Sequence, residues 1–534
     1  MKRKTDTAKR KIGEAEIKEA VGILRNYKAS KGVLESRIVE NEQWWKLRHW
    51  DFSGTRQSGA EPVSAWLFNV LINKHADAMD SFPQACILPR EMNDEKEARR
   101  LSGILPAILE NNNFEDIYSN NWWYKLKHGT CAYGVFWNSE LENGLGDIQI
   151  TKIDLLNIFW EPGITDIQKS RNLFIVDLRD EDLLKKEYPR LENKSLAGAI
   201  DIKQYIYDDC VDTSGKVLVV DWYYKVKQKD GKTVLHYCKF AGDTVLFASE
   251  NNEEYKDRGW YDHGEYPIIF DSLFPEEGTP VGFGYIAVTK DPQMYIDKLN
   301  KAMLENALMA SKPRYFAKMS AGINESEFLD WSKPIVHVEG DINEERLRPI
   351  NVAQLPSSCL NMLNMKINEL KETSSNSDFT RGNSTNGITA ASAIAALQEA
   401  GSKTSRDMLK TTYRAFTKIN YLCIELIRQF YSELRSFRVT DENGGYSFED
   451  YNNTNLCQNG RPVFDVVVKA QKKSPYSTLS QNEMAKELFS LGFFRPENAV
   501  QALGALELMD FEGKAAVEAG IRENMNLRKT EEGL

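Results

Sequence analysis

One long segment limits the folds open to this chain. Residues Ile388 to Leu434 run for 47 residues without a proline. The first third of the segment is crowded with small side chains, namely Ala390, Ala391, Ala393, Ala395, Ala396 and Ala400. A single helix of this length, at ~1.5 Å per residue, would be about 70 Å long. Such a helix is normally one member of an assembly, and we expect any bend in it at Gly401 and Ser402.

The rest of the chain is large enough for several cores. Its 534 residues and 61.0 kDa predict about three domains of ~100 to 200 residues. With 42% apolar and 27% charged residues, the composition is that of a folded, soluble protein. No stretch reaches the ~20 apolar residues of a membrane span. Met1 to Lys11 is basic, but no apolar run follows as in a signal peptide, so we expect the chain to stay in the compartment where it is made.

Cysteine and histidine give no sign of a metal centre. The seven cysteines are widely spread and never form a C-x-x-C pair, which argues against a disulfide framework and against a zinc site. The six histidines are isolated, so no H-x-x-x-H places two imidazoles on one helical face. We therefore expect no metal, no cofactor and a reducing compartment.

Charge is unevenly distributed along the chain. The net charge is −10. Residues 1–49 hold 13 Lys and Arg against 7 Asp and Glu, whereas residues 474–534 hold 6 against 10. Proteins that grip duplex DNA tightly make about 6 to 10 cationic phosphate contacts. A chain with this acidic balance is poorly suited to gripping a duplex, although it could let one pass.

Periodicity predicts an α+β organisation. Apolar residues at helical spacing predict helices over residues 13–50, Trp66 to Met79 and Lys96 to His128. From Gly129 to about Asp271, runs of Val, Ile, Tyr and Phe separated by Gly, Asn and Asp predict antiparallel strands. The aromatic pairs Trp44–Trp45 and Trp122–Trp123 are expected to be core anchors.

Helical periodicity returns after the predicted strands. Asp291 to Ser311 carries two apolar stripes, so we expect it to have neighbours on two sides. A small insert with short strands, such as Ile335 to Val338, follows. A second helix from Pro356 to Glu372 has one apolar and one polar face, and a Ser- and Asn-rich loop from Thr373 to Gly387 leads into the long helix.

Searches for catalytic motifs do not name a reaction. Gly282, Gly284 and Ala287 match the G-x-G-x-x-A dinucleotide pattern, but Pro280 stands where the preceding strand should be. Neither a P-loop nor a G-x-S-x-G nucleophile elbow is present. Acidic pairs could ligate Mg²⁺, although at this density of acids we expect them on solvated faces; they are Asp77 with Asp80, Asp177 with Asp180, and Asp208 with Asp209.

The order of the predicted parts resembles the tailed-bacteriophage portal proteins of the podovirus-like type. Two stretches, Asp291 to Phe316 and Gly387 to Asp407, look like the most recognisable segments of that family. A third stretch, Ile153 to Gly163, is similar to its pattern of a buried strand that ends in an aromatic residue before an acid and a proline. The acid here is Glu161, where Asp is commoner. The resemblance runs from about Gly129 to Gln471.

The resemblance implies a multi-domain portal fold with a β-rich wing, a two-helix stem, a small α/β clip, a long kinked wing helix and a helical C-terminal crown. The implied parts are the N-terminal helical part of the wing (1–128), the β-rich wing (129–289), stem helix 1 (290–311), the clip (312–355), stem helix 2 (356–373), the tunnel loop (374–386), the long wing helix (387–435), a wing β segment (436–473) and the crown (474–534).

The resemblance also implies a function. A portal is a non-enzymatic ring, typically of twelve copies, at one vertex of the capsid, and double-stranded DNA passes through it during packaging and ejection. The implied partners are the terminase large subunit, head-tail adaptor or tail proteins, and the major capsid and scaffolding proteins. The implied location is the virion, after assembly in the host bacterial cytoplasm. The family supplies no catalytic residues.

Candidate contact residues follow from the assigned parts. DNA would meet the polar stem face and the tunnel loop at Asn361, Asn364, Asn368, Lys371, Arg381 and Asn383. The terminase or adaptor would meet the clip at Arg314, Lys318 and Lys333. Each cation would make a phosphate contact that positions DNA without reading its sequence.

Two alternatives remain open from the sequence. One is a metal-dependent nucleic-acid hydrolase that uses some of the acidic pairs. The other is a different structural component, a capsid or adaptor protein. A hydrolase predicts Mg²⁺-dependent cleavage by a monomer or dimer, whereas a portal predicts a hollow ring without turnover.

Overall fold

The structure of the chain is a computed structural model. It describes residues 11–50, 61–191, 215–228, 231–311, 314–317, 324–330, 332, 335, 337–339, 347–350, 356–375, 403–440, 446–457, 462–472, 486, 489–493, 495, 498–507 and 517–522. Within these residues the fold mixes helices and antiparallel strands, as the α+β prediction requires. None of the helices described is long and apolar enough to cross a membrane.

Four helices form most of the N-terminal part. They are α1 (Glu14–Trp45), α2 (Trp66–Met79), α3 (Glu95–Asn111) and α4 (Phe114–His128). Their bounds confirm the predicted helical regions. The paired tryptophans are core anchors as expected: Trp44 and Trp122 are buried, and the rings of Trp45 and Trp123 lie 5.3 Å apart.

A strand that the sequence did not predict lies inside this helical part. Strand β1 (Ser81–Pro89) pairs antiparallel with the last strand described, β14 (Phe464–Lys472), so that Ser81 lies opposite Lys472 and Pro89 opposite Phe464. Proline argues against a central strand, and β1 contains two. This two-stranded ribbon joins the N-terminal part to residues 464–472. The sequence had predicted that these two regions belong to separate parts of the chain.

Eight strands form the β-rich part in two sheets. The strands are β2 (Thr130–Asn138), β3 (Asp147–Ile153), β4 (Ile158–Trp160), β5 (Asn172–Asp180), β6 (Lys216–Lys227), β7 (Thr233–Ala241), β8 (Thr244–Ala248) and β9 (Ile268–Ser272). One sheet has the order β3-β2-β9 and the other β4-β5-β6-β7-β8. All pairings are antiparallel, which confirms the prediction. A short helix, α5 (Glu181–Glu187), follows β5.

Helix α6 (Tyr285–Ser311) begins six residues earlier than the predicted Asp291. Pro292 lies inside the helix and only removes the hydrogen bond to the carbonyl of residue 288. Tyr285 and Thr289 are buried against the core, and the Thr289 hydroxyl donates to the Tyr285 carbonyl at 2.8 Å. Tertiary burial therefore stabilises the first turns of the helix.

The two glycines before α6 have a packing role. A Cβ at Gly282 would lie 1.9 Å from the carbonyl oxygen of Phe274, and one at Gly284 would lie 2.5 Å from the carbonyl oxygen of Leu126. Only glycine fits where two backbones approach this closely. The two glycines of the G-x-G-x-x-A pattern are thus explained by packing, Gly282 against the segment after β9 and Gly284 against the end of α4.

Short elements connect the two stem helices. Strand β10 (Arg314–Ala317) pairs antiparallel with β11 (Leu347–Ile350), and α7 (Glu325–Leu329) lies between them in the chain. The described residues within the predicted strand Ile335 to Val338 are not part of a strand. The second stem helix, α8 (Ser357–Thr373), confirms the predicted one within a residue at each end.

The long wing helix is described as α9 (Lys403–Phe430). Residues 376–402, which include the alanine-rich third and the expected bend, lie outside the described residues. The helix ends four residues before the predicted Leu434, because the chain turns there into β12 (Arg435–Thr440). Strand β13 (Tyr446–Tyr451) pairs with β12, and α10 (Thr454–Cys457) precedes β14.

One main hydrophobic core holds these parts together. It contains apolar side chains from the N-terminal helices, both sheets and the buried stripe of α9. A second core lies between α1 and the five-stranded sheet. In the crown, α11 (Ala499–Glu507) packs against the helical residues 517–522 around Leu506 and Ile521.

Candidate channel and subunit-contact surfaces

The two helices that the sequence predicted as a stem are packed together. Helix α6 packs against α8, and Leu363 and Ile367 of α8 pack against the main core, while Leu370 is fully buried. Ile296 of α6 is also fully buried. The spacing of these α8 residues at three and four positions is that of one helical face. The packed side that the sequence predicted for α8 is therefore present.

The same pair of helices leaves large apolar side chains in solvent. Six such side chains are 38% to 56% exposed, namely Leu304, Leu308 and Met309 of α6 and Leu360, Met362 and Met365 of α8. Single exposed apolar residues are ordinary, but a group of six on two adjoining helices marks an interaction surface. Of the second apolar stripe predicted on α6, Ile296 is packed within the chain, whereas Leu304 and Leu308 are not.

The polar face of α8 carries three exposed amides. Asn361, Asn364 and Asn368 share one side of the helix and border a shallow hollow together with Met365, Glu369, Glu372 and Thr373. Amides donate and accept hydrogen bonds without adding charge. The structure thus places three of the predicted DNA-facing residues together, beside carboxylates.

Lys371 is arranged differently from the three asparagines. Its side chain is half-buried, and its ammonium lies 5.5 Å from the centre of the Trp66 ring on α2. A cation at this distance from an aromatic face is attracted to it. Lys371 therefore holds the end of α8 against α2.

Four of the other predicted contact residues lie outside the described residues. They are Arg381 and Asn383 of the predicted tunnel loop and Lys318 and Lys333 of the predicted clip. Arg314 is the first residue of β10, opposite Ile350. The described clip residues do, however, expose apolar side chains, namely Phe316, Phe328, Leu329 and Ile335.

A buried hydrogen-bonded cluster fixes helix α6 to the N-terminal part. His49 Nδ1 lies 2.6 Å from Asp297 Oδ2, and Asp297 Oδ1 accepts hydrogen bonds from the Ser64 backbone N–H at 2.9 Å and from Gln293 Nε2 at 3.0 Å. Gln293 Oε1 in turn accepts the Leu67 backbone N–H at 3.0 Å. The cluster ties α6 to the N-terminal part. Sequence reasoning missed it because a single His and a single Asp this far apart form no local pattern.

A second buried cluster fixes the long helix. The Lys125 ammonium of α4 lies 2.7 Å from Asp271 Oδ1 of β9 and donates to Thr412 Oγ1 of α9 at 2.7 Å. Thr412 Oγ1 itself donates to Asp271 Oδ2 at 2.7 Å. A buried ion pair is tolerated when further hydrogen bonds satisfy both ions. This cluster therefore holds together α4, β9 and α9, three elements that are distant in the sequence.

A buried lysine, Lys31 of α1, donates hydrogen bonds to the segment Ile153 to Gly163. The ammonium of Lys31 on α1 donates to the carbonyl of Ile158 at 2.6 Å and to that of Leu155, and it lies 4.2 Å from the Phe159 ring centre. Burial lowers the pKa of Lys31 to about 7. This segment therefore packs against α1 and helps to hold that helix in place.

Glu161 at the end of this segment has an arginine partner. Its carboxylate accepts hydrogen bonds from the Arg171 guanidinium, the shortest at 2.5 Å. These hydrogen bonds lower the pKa of Glu161 below its usual value. The acid before the proline therefore fixes the turn that leads to β5.

The acidic pairs do not form a metal centre in the described part of the chain. No group of three or more His, Cys, Asp or Glu that could hold a metal is found among the residues described. Asp77 accepts a hydrogen bond from Ser405 at 2.8 Å, and Asp177 lies 3.5 Å from Arg179. Asp208 and Asp209 lie outside the described residues.

Comparison with known proteins identifies a family. The model of the family described as phage P22-like portal protein matches residues 77–271 and 236–533. Together, the two matches extend from the end of α2 to beyond the last helix described. A search of curated proteins finds no match.

Proposed function

The chain belongs to the phage P22-like portal proteins, and from this premise we propose that it forms a ring at one vertex of the capsid. Double-stranded DNA enters through the ring during packaging and leaves through it during ejection. The ring contains twelve copies. Its role is structural, and the chemical work of packaging belongs to the terminase that docks on it.

The exposed apolar surface of the stem carries this proposal. Leu308 on α6 and Met362 on α8 are about half exposed, although they lie on helices that pack closely on their other sides. In a closed ring, each copy presents one surface to the next copy and another to the previous one. A neighbour on each side removes the exposed half of these side chains from water, which stabilises the ring by about 0.7 to 1.5 kcal/mol per residue, half the value for a fully exposed side chain.

The polar face of α8 supplies the channel wall. Asn361, Asn364 and Asn368 stand exposed beside Glu369 and Glu372. Amides can exchange hydrogen bonds with water and phosphate without an ionic attraction, and the carboxylates repel phosphate. With a net charge of −10 per chain, a duplex passes along such a wall without being held. On this proposal, Arg381 and Asn383 provide the sparse contacts of the loop.

The insert between the stem helices is the docking surface for other packaging proteins. Phe316 on β10, Leu329 at the end of α7, and Ile335 are exposed. Exposed aromatic and aliphatic side chains are the usual anchors of protein interfaces. The terminase large subunit binds here during packaging and the head-tail adaptor binds afterwards, with Arg314, Lys318 and Lys333 at the rim. Capsid and scaffolding proteins meet the wing.

The mass of the purified chain tests the proposal. Size-exclusion chromatography with light scattering is expected to give a particle near twelve times 61.0 kDa, and negative-stain images are expected to show a ring with a central hole. Incubation with duplex DNA and Mg²⁺ is expected to leave the DNA intact. A monomer or dimer that cleaves DNA with Mg²⁺ would instead support a nucleic-acid hydrolase, and a closed shell would support a capsid protein.

A further inference from the structure

One lysine contacts both ends of the segment that links α8 to α9. The end of α8 at Ser375 and the start of α9 at Ser405 both lie against helix α2. These residues are separated by thirty positions in the sequence. Because both ends meet the same helix, their separation is set by α2.

Lys74 is the residue at this meeting point. Its ammonium donates to the backbone carbonyl of Ser375 at 3.4 Å and to Ser405 Oγ at 3.3 Å. Only 4% of its side chain is exposed. A lysine is seldom this buried unless its charge is paired.

Asp77, almost one turn further along α2, completes the arrangement. Its Oδ2 accepts the Ser405 hydroxyl at 2.8 Å and lies 3.9 Å from the Lys74 ammonium. The Ser405 hydroxyl therefore accepts from a cation and donates to an anion of the same helix. The hydrogen bond from Ser405 to the Asp77 carboxylate, at 2.8 Å, is short and charge-assisted, whereas the contact of the Lys74 ammonium with Ser405, at 3.3 Å, is longer.

The backbone conformation at the end of α8 places the Ser375 carbonyl next to Lys74. Ser375 has a φ of 51°, in the left-handed region that ends helices. Ser374, just before it, is fully buried, and its hydroxyl donates to the Lys371 carbonyl at 3.1 Å. The contact of Lys371 with Trp66 holds the same turn at the start of α2. The last turn of α8 is therefore fixed at two points along α2.

We propose that Lys74 is a positioning residue that, with Asp77 and Ser405, holds the end of α8 and the start of α9 at a fixed separation. It thereby sets both anchor points of residues 376–402. The consequence for DNA rests on the proposed function, in which the loop within these residues reaches into the channel. A change at Lys74 then alters how the ring retains DNA while the stem contacts between copies remain.

Hydrogen exchange of the full-length ring tests the positioning role. In Lys74→Met and in Ser405→Ala, backbone amides in the last turn of α8 and the first turn of α9 are expected to exchange about tenfold faster than in the wild type, because local opening becomes easier. Lys74→Arg, which keeps the charge and a long side chain, is expected to restore slow exchange at these two sites. Exchange in strand β7, which packs between β6 and β8 of the five-stranded sheet, is expected to stay unchanged.

A matched control separates positioning from general stability. Lys31→Met removes another buried lysine that donates to backbone carbonyls, but at the Ile153 to Gly163 segment. It is expected to leave exchange at the ends of α8 and α9 unchanged. Equal acceleration in Lys31→Met, or wild-type exchange in both Lys74→Met and Ser405→Ala, would overturn the proposal. If Lys74→Met does not fold, Ser405→Ala alone decides, because it removes only a hydroxyl.

DNA retention in assembled particles provides the second readout. Faster exchange together with early loss of packaged DNA supports both the positioning role and the channel. Faster exchange with normal DNA retention leaves Lys74 as a positioning residue and contradicts the channel role of the segment. The failure of one idea is therefore distinguishable from the failure of the other.

Discussion

His49 Nδ1 lies 2.6 Å from Asp297 Oδ2, and each side chain is only 2% exposed. His49 Nε2 faces the Trp44 carbonyl at 3.2 Å. Both ring nitrogens of His49 therefore face hydrogen-bond acceptors. Helix α6 is thus anchored to the N-terminal part through a buried carboxylate that also accepts two further hydrogen bonds.

Asp297→Asn is expected to destabilise the chain by about 1 to 3 kcal/mol, because it replaces the buried acceptor that faces His49 Nδ1 and leaves that group without its partner. Denaturant unfolding of the wild type and the variant measures the difference. Glu40→Gln is the control, since Glu40 pairs with Lys290 of the same helix at 3.2 Å but both partners are about one-third exposed. That variant is expected to lose much less stability. Equal losses would show that the pair at Asp297 has no special role.

The lowered pKa of Lys31 predicts that the stability of the folded chain increases with pH. Burial lowers its pKa in the folded chain to about 7 from 10.5. Between these values the unfolded chain holds a proton that the folded chain has lost, so the unfolding free energy rises with pH by up to about 1.4 kcal/mol per unit. This stabilisation is complete above pH 10.5 and is lost as the pH falls through 7.

Comparison with Lys31→Met isolates this effect. The wild type is expected to gain stability relative to the variant as the pH rises from 7 to 10, because the variant has no group to titrate there. Urea unfolding at several pH values in this range measures the difference. A constant difference between the two proteins across the range contradicts the assigned pKa.

The elements that periodicity predicted are those whose partners are close in the chain. Helix α8 has a pattern of spacing three to four and lies within one residue of the predicted bounds. Helix α6 was predicted too short, because the burial of Tyr285 that stabilises its first turn is tertiary. Local patterns thus gave the elements but not all of their ends.

The anchors of the fold were not predictable from one sequence. His49 and Asp297, or Lys74 and Ser405, come together only after the helices pack, and neither pair has a spacing that marks it. The prolines of β1 hid a strand whose partner, β14, lies almost four hundred residues away. Of the candidate surfaces, the asparagine face of α8 followed from helical spacing, but the contact of Lys371 with Trp66 did not.

The exposed apolar residues of the stem predict a defect in assembly without a defect in folding. In Leu308→Gln with Met362→Gln, both positions keep a good helix former. The monomer loses little stability because both side chains are already about half exposed. The ring is expected to dissociate, since each contact between copies loses apolar burial worth about 0.7 to 1.5 kcal/mol per half-exposed residue. Light scattering measures the mass, and circular dichroism checks the fold.

Leu183→Gln is the matched control for this pair. Leu183 lies on α5, away from the stem, and is exposed as well. It is expected to assemble like the wild type. Rings of full mass in the double variant would exclude these stem positions from the contact between copies.

The three asparagines of α8 give the most direct test of the channel wall. Changing Asn361, Asn364 and Asn368 together to Lys adds three exposed cations per copy without removing any buried contact. Each phosphate that a new cation neutralises is expected to steepen the dependence of DNA binding on salt by about 0.9 in a plot of log K against log salt. The rings are therefore expected to hold duplex DNA at low salt and to package it more slowly, whereas the same three positions changed to Gln keep the amides and are expected to behave like the wild type. If the Lys variant forms normal rings and packages DNA at the wild-type rate, with unchanged salt dependence, this face of α8 does not meet the DNA, and the wall of the channel must be formed by another surface of the stem.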